Sequence, residues 1–369
     1  MSFRKEPSFS HGTVRRSAIV LVNLGTPDAP TTRAVRRYLR EFLSDPRVVE
    51  IPRLVWWFIL NLVILPFRSS KSAAKYEMIW TRDGSPLKVH TQKQATLLRG
   101  ALGERGHDNV KVVMAMRYGS PSLPEVLDQL KAEHCDRIAI LPSYPQYSGT
   151  TTGSIYDAVF GHYAKVRNIP EVRLVKNYHD HDSYIDALHE SVLASWEANG
   201  RGDKLVMSFH GTPKRTLLKG DPYFCECQKT ARLLAAKLRL NDDDFVVTFQ
   251  SRFGKAEWLQ PYTIPTLEKL AREGIERVDV LCPGFTSDCL ETLEEIGMEA
   301  KEAFEQNGGS QFQYIPCLNE SPAWIAALAE IAEQHLIGWP TMMTVAQREA
   351  EKKDVEYGAE QAIYFGAPQ

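Results

Sequence analysis

The sequence predicts an α/β protein of two similar halves, each a parallel sheet with helices on both faces, with a cleft between them. Three observations predict it. Apolar runs that end in small-residue turns recur along the chain, a helix-like stretch follows them, and the turns come in the same order twice.

The runs, in order, are SAIVLVNLGTP (17–27), VKVVMAMRYGSP (110–121), DRIAILPSYP (136–145), DKLVMSFHGTP (203–213), DDFVVTFQSRFG (243–254) and ERVDVLCPGF (276–285). Stretches such as PEVLDQLKAE and PYFCECQKTARLLAAKL, after the second and fourth runs, carry the helical pattern. The turns Gly25-Thr26-Pro27, Arg117-Tyr118-Gly119 and Leu141-Pro142 are matched by Gly211-Thr212-Pro213, Arg252-Phe253-Gly254 and Cys282-Pro283, as a duplication would leave them. Ligands of open α/β sheets bind beyond the carboxyl ends of the strands, so these turns are expected to line the cleft.

Gly25 and Gly119 lie 94 positions apart but Gly211 and Gly254 only 43, so the first half carries about 51 more residues between matching landmarks. The extra segment holds LVWWFILNLVIL (54–65), with Asn61 its single polar member and Pro66 closing it. As a helix it would span roughly 18 Å at about 1.5 Å per residue, short of a hydrocarbon core of about 30 Å. Two readings stand: a buried core helix, or an apolar lip that touches a membrane or a greasy ligand. Its place in an insertion to an otherwise complete half favours the lip. The expected domains are residues 15–178, with the insertion at about 46–95, and residues 179–335, followed by a tail over 336–369.

At 369 residues, 43% hydrophobic and 24% charged, the chain can bury a full core, and its length favours about two domains. A formal net charge of −2, without a long block of like charge, argues against a general nucleic-acid binder. Cys135, Cys225, Cys227, Cys282, Cys289 and Cys317 lack the paired spacing of a structural zinc site and suit reduced thiols in a cytoplasm. The apolar run after Arg15-Arg16 stops at Asn23, too soon for a signal peptide or twin-arginine leader, so no export is expected. No G-x-G-x-x-G follows the first strand and no Walker A sequence occurs, which leaves a dinucleotide or nucleoside triphosphate site without support.

Chemistry concentrates at strand ends. His210 closes a strand and precedes Gly-Thr-Pro, a turn that would leave the imidazole at the mouth of the cleft, whereas the first half has Leu24 at the matching place. The bland alternative is a structural histidine. In GFTSDCLETLEEIGMEAKEAFE, Ser287 or Asp288 is a candidate N-cap, and Asp288, Glu291, Glu295 and Glu299 fall at steps of three or four on one helical face. Such a row is either an ordinary solvated face or a line of oxygen ligands that passes a hard divalent cation inward or protons outward. Trp258, Tyr144 and Tyr147 follow strands and offer flat faces for a planar ligand or rim packing. Arg117 and Arg252 occupy equivalent strand ends, suited to a carboxylate ligand or an internal ion pair. The HDHD run at 179–182 reads as a solvated helix start capped by Asp182 or Ser183, and Cys225 and Cys227, two apart on a helix, make a poor chelate.

The segments LVNLGTPD, FLSDPRVVEIP, GSPLKVHTQKQ, MRYGSP, LPSYPQYSGTTTGS, SFHGTPKR, GDPYFCECQKTA, TFQSRFGKAEWLQPYT and GFTSDCLETLEEI resemble those of the ferrochelatase family, in order across roughly residues 17–330. The resemblance implies two Rossmann-like domains of the class II chelatase type holding protoporphyrin IX between them, with ferrous iron as the second substrate and protoheme as product. It implies His210 and Glu291 as the catalytic pair facing each other across the macrocycle. It also implies His210, Glu291, Glu295 and Glu299 as metal contacts, and Leu24, Ser85, Arg117, Tyr118, Tyr147 and Trp258 around the substrate, Arg117 and Ser85 near propionates. The 54–65 lip resembles the family's apolar mouth, which suggests a cytoplasmic protein with peripheral membrane contact. No cysteine follows Cys317, so no iron–sulfur cluster of the C-terminal type found in some members is expected; ferrous iron is a substrate and no permanent cofactor is expected. Leu24 stands where members acting on coproporphyrin usually show tyrosine. The rival readings are another tetrapyrrole chelatase, acting on coproporphyrin, sirohydrochlorin or cobalt, and a non-catalytic tetrapyrrole carrier.

Overall fold

The computed structural model describes residues 3–7 and 11–367. Its centre is two parallel four-stranded sheets. The first orders its strands β2-β1-β3-β4, with β1 Arg16–Gly25, β2 Val110–Tyr118, β3 Cys135–Pro142 and β4 Glu171–Leu174. The second orders them β6-β5-β7-β8, with β5 Lys204–His210, β6 Phe245–Gln250, β7 Arg277–Leu281 and β8 Gln311–Ile315. The same order in both sheets is what a duplication requires. The edge strands β4 and β8 fall outside the six apolar runs because EVRL and QFQYI are short and half polar.

The repeated glycine has one cause in both halves. Gly25 pairs with Tyr118 across β1 and β2, at φ +114°, and a Cβ there would lie 1.7 Å from the Tyr118 carbonyl oxygen. At Gly211 a Cβ would lie 2.7 Å from the Gln250 carbonyl oxygen. Only glycine lets the first strand of each sheet turn this close to its neighbour.

Alternate residues of β1 feed different cores, the pattern of a strand covered on both faces. Ala18, Val20 and Val22 pack with the helices Leu123–Ala132 and Thr152–Tyr163. Ile19 and Leu21 join a second cluster that also takes Met207 and Phe209 of β5, Leu98 of helix Pro86–Glu104, Leu188 of helix Asp182–Asn199 and Trp324 of helix Pro322–Gln334. One core therefore runs through both halves.

The insertion is a rod of three pieces: helix Arg53–Ile59, a π-helical turn Leu60–Ile64, and helix Leu65–Ile79. Pro66 explains the widened turn, since its ring clashes with the carbonyl four residues back and it has no N–H to donate. The 54–65 segment is not a core helix: Leu60 and Leu65 are buried, but Leu54 is 73%, Leu62 63% and Trp57 55% exposed. Trp56 is the anchor, its indole N–H donating to the Leu43 carbonyl at 2.6 Å. No helix among the described residues is long and apolar enough to cross a membrane. Of the residues after 336, Trp339 and Thr341 are buried, and Val345–Tyr364 form a helix that buries no side chain.

Candidate active site

The carboxyl ends of the two sheets meet. Thr286, after β7, donates to the carbonyl of Ser143, after β3, at 3.1 Å, and the loop after β3 gives its Tyr147 N–H to the buried Glu226 carboxylate of the second half at 2.6 Å. His210 ends β5 half-buried, its ring leaning on Phe285 at 6.5 Å. Its Nδ1 lies 2.7 Å from the Gly211 carbonyl oxygen. A carbonyl only accepts, so Nδ1 carries a proton, and in the neutral form of the ring the lone pair sits on Nε2. Trp258 backs the same turn, within 3.2 Å of where a Gly211 Cβ would sit.

The acidic segment runs as a π-helix, Glu291–Ala300, and then an α-helix, Lys301–Gln306. An i→i+5 turn holds more than four residues, so a step of four falls just short of a full turn and Glu291, Glu295 and Glu299 stay on one face. Asp288 does not belong to that row. It is buried ahead of the helix, where its carboxylate accepts from Tyr314 at 2.5 Å, Asn319 at 2.6 Å and Thr292 at 3.0 Å. The carboxylates of the row differ in surroundings. Glu291 is half-buried and its carbonyl accepts from Gln250 Nε2 at 2.8 Å. Glu295 accepts from both the Ser251 N–H, at 2.6 Å, and the Ser251 hydroxyl, at 2.5 Å, and so pins the end of β6. Glu299 pairs with Lys75 at 2.6 Å.

Arg117 forms the internal ion pair that was one of its two readings: its Nη2 lies 2.6 Å from Asp45 Oδ2. Tyr118 is buried and donates to the same oxygen at 2.8 Å, as does Ser154 at 2.6 Å. Against burial, which would raise it, these hydrogen bonds, the Arg47 N–H and the Arg117 charge hold the Asp45 carboxyl below its ordinary value. Ser85 is buried and accepts from Thr26 at 2.7 Å, which ties the insertion's exit to the Gly-Thr-Pro turn. Leu24 is half-buried in an apolar cluster with Trp56, Trp80, Leu290 and Leu293, drawn from both halves and the insertion. Tyr147 sets its ring 5.2 Å from Lys176 Nζ, and the buried Tyr144 hydroxyl has no hydrogen-bond partner among the described residues. Arg252 is exposed and stacks over Tyr262 at 5.0 Å.

The HDHD run does open a helix, with Asp182 exposed at its first position, but neither Asp182 nor Ser183 is the N-cap and His179 is not solvated. The helix Asp182–Asn199 has His181 at its N-cap position, and His179 is buried 3.4 Å from Glu226. Burial raises the Cys282, Cys289 and Cys317 thiols well above their ordinary values, which keeps them protonated. Among the described residues, no group of three or more His, Cys, Asp or Glu is arranged to hold a metal ion. Sequence reasoning missed Asp45, Gln250, Glu294, Lys75 and Arg68. The last two were detectable in principle, because they lie seven apart on the helix after the apolar segment and so share a face. Arg68 sets its guanidinium 4.8 Å over Phe253 of the second half.

A repeated strand order and sheets that meet at their carboxyl edges define a two-domain Rossmann-like chelatase fold. SirB from Bacillus subtilis with Fe3+ shares it, with a TM-score of 0.51 at 11% identity over 86% of this chain and 95% of that one. The chain belongs to the ferrochelatase family, which its sequence matches over residues 16–336. The ferrochelatases of Herminiimonas arsenicoxydans and Janthinobacterium sp. (strain Marseille) are each 68% identical over 369 residues, covering 100% of both chains. That of Polaromonas sp. (strain JS666 / ATCC BAA-500) is 62% identical over 372 positions, again across 100% of each. The chain is thus a porphyrin metal chelatase of heme synthesis, with a porphyrin and ferrous iron as its substrates.

Proposed function

We propose that this chain inserts ferrous iron into protoporphyrin IX to form protoheme, with His210 and Glu291 on opposite sides of the macrocycle. The observation that carries the reading is the hydrogen bond from His210 Nδ1 to the Gly211 carbonyl, which assigns the role of base to the other ring nitrogen, Nε2. Insertion releases two pyrrole protons for each iron taken in, so a base at the ring centre lowers the barrier, and His210 fills that role. Glu291, at the inner end of the acidic row, receives the metal; Glu299 meets it at the outer end, and Glu295 steadies Ser251 beside the route. Clamping the macrocycle out of plane would expose its nitrogen lone pairs, with binding energy from the ring's edges.

Leu24 supports protoporphyrin over coproporphyrin. The cluster it packs against, shared with Trp56, Trp80, Leu290 and Leu293, is apolar, a setting that suits vinyl groups and leaves a propionate carboxylate unpaired. The exposed apolar face of 54–65 supports docking of a cytoplasmic protein at a membrane surface, where a poorly soluble porphyrin is held. The test is anaerobic turnover with ferrous iron. Wild type should use protoporphyrin IX in preference to coproporphyrin III, and His210→Ala should bind porphyrin, seen as a shifted Soret band, while losing about 100-fold or more in turnover. Near-normal insertion by His210→Ala would remove it from the mechanism, and a preference for coproporphyrin would overturn the substrate.

A further inference from the structure

We infer that Lys75 is a positioning residue for the metal, a resident cation that holds the outer carboxylate of the acidic row until a divalent ion takes its place. The inference rests on reading that row as the metal's route. Lys75 projects from helix Leu65–Ile79 of the first half across to the π-helix of the second. Its Nζ lies 2.9 Å from Glu294 Oε1 and 2.6 Å from Glu299 Oε1. The two carboxylates are not alike: the Glu294 side chain is 5% exposed and that of Glu299 45%.

One ammonium therefore faces two carboxylates, and the corner keeps an excess negative charge that a divalent ion would balance. The buried Glu294 holds Lys75 firmly, because an unpaired charge there is costly. The exposed pair with Glu299 is of the weak kind and exchanges readily. A lysine suits such a swap, being a compact charge on a flexible stem. A hydrated divalent ion arriving at Glu299 displaces the ammonium from that carboxylate while Lys75 stays on Glu294. Arg68, two turns earlier on the same face, is held over Phe253.

The test varies iron and porphyrin separately in full-length Lys75→Met. The KM for ferrous iron should fall about threefold or more, while kcat and the porphyrin KM stay within about twofold. Zinc binding measured calorimetrically without porphyrin should tighten by a similar factor. Lys75→Arg, whose planar fork can hold Glu299 through two hydrogen bonds, should instead raise the iron KM. Because Lys75→Met strands a buried carboxylate, Lys75→Met/Glu294→Leu serves as the second variant; it should keep the wild-type melting temperature and show the same lowered iron KM. An iron KM unchanged in both methionine variants overturns the inference and leaves Lys75 a strap between the halves. Glu299→Gln separates the two ideas. A raised iron KM supports the row, so that only Lys75 falls if the methionine variants do nothing. An unchanged iron KM in Glu299→Gln takes the row and the Lys75 inference down together.

Discussion

Asp45 shows how one buried carboxylate sets the shape of a site. Its carboxylate collects Arg117, Tyr118 and Ser154 at the floor of the first half's strand ends. Its folded-state pKa is depressed, so it contributes stability that is present above its unfolded value of about 3.9 and lost as pH falls through the lower folded value. Wild type should therefore lose melting temperature below about pH 4 more steeply than Asp45→Asn, which should be less stable than wild type at pH 7. Parallel pH curves for the two proteins would show that the network holds no charge. His210 was legible in the sequence because it breaks a repeat. Asp45 was not, since its partners lie 72, 73 and 109 positions away and a lone acid in FLSDP carries no periodic signal. Arg117 was legible only as a pair of alternatives, because a strand-end guanidinium serves a ligand or a neighbouring carboxylate with the same geometry.

Among the elements, the insertion rod divides its apolar residues by function. Trp57, Phe58 and Leu62 are at least half exposed, whereas Trp56 is tied to Leu43 and packs into the cluster around Leu24. Changing Trp57, Phe58 and Leu62 to serine should raise the porphyrin KM and weaken recovery on liposomes while the melting temperature stays nearly constant. Trp56→Ala should instead cost about 2 kcal/mol or more of stability. Thermal melts and porphyrin titrations on the same preparations check both halves of this expectation. A collapsed melting temperature with unchanged porphyrin affinity in the serine variant would sink the lip. The pattern of LVWWFILNLVIL disclosed an apolar helix but not which residues face out, because nearly every position is apolar and a helical phase needs polar marks to be read. The π turns were equally hidden; Pro66 was the one sign of the first, and the second has no comparable mark.

At the scale of the whole molecule, the duplication and the parallel strands were readable because buried strands make continuous apolar runs, while β4 and β8 were lost at half-polar edges. What no pattern disclosed is that the core is undivided. Ile19 and Leu21 of β1 pack in the same cluster as Met207 and Phe209 of β5, a cluster that also holds Leu98 and Trp324. Domains that fold apart would open apart, and a cleft between them would breathe by hinging; a shared interior forbids that. Amide hydrogen exchange should therefore protect the middle of β1 and the middle of β5 by the same opening free energy, as one cooperative unit. Two distinct protection levels would mean that the halves open independently. If protection is common to both sheets, the fast-exchanging amides will lie in the insertion and the loops, and motion that admits a large flat molecule is confined to the rim while the floor stays closed.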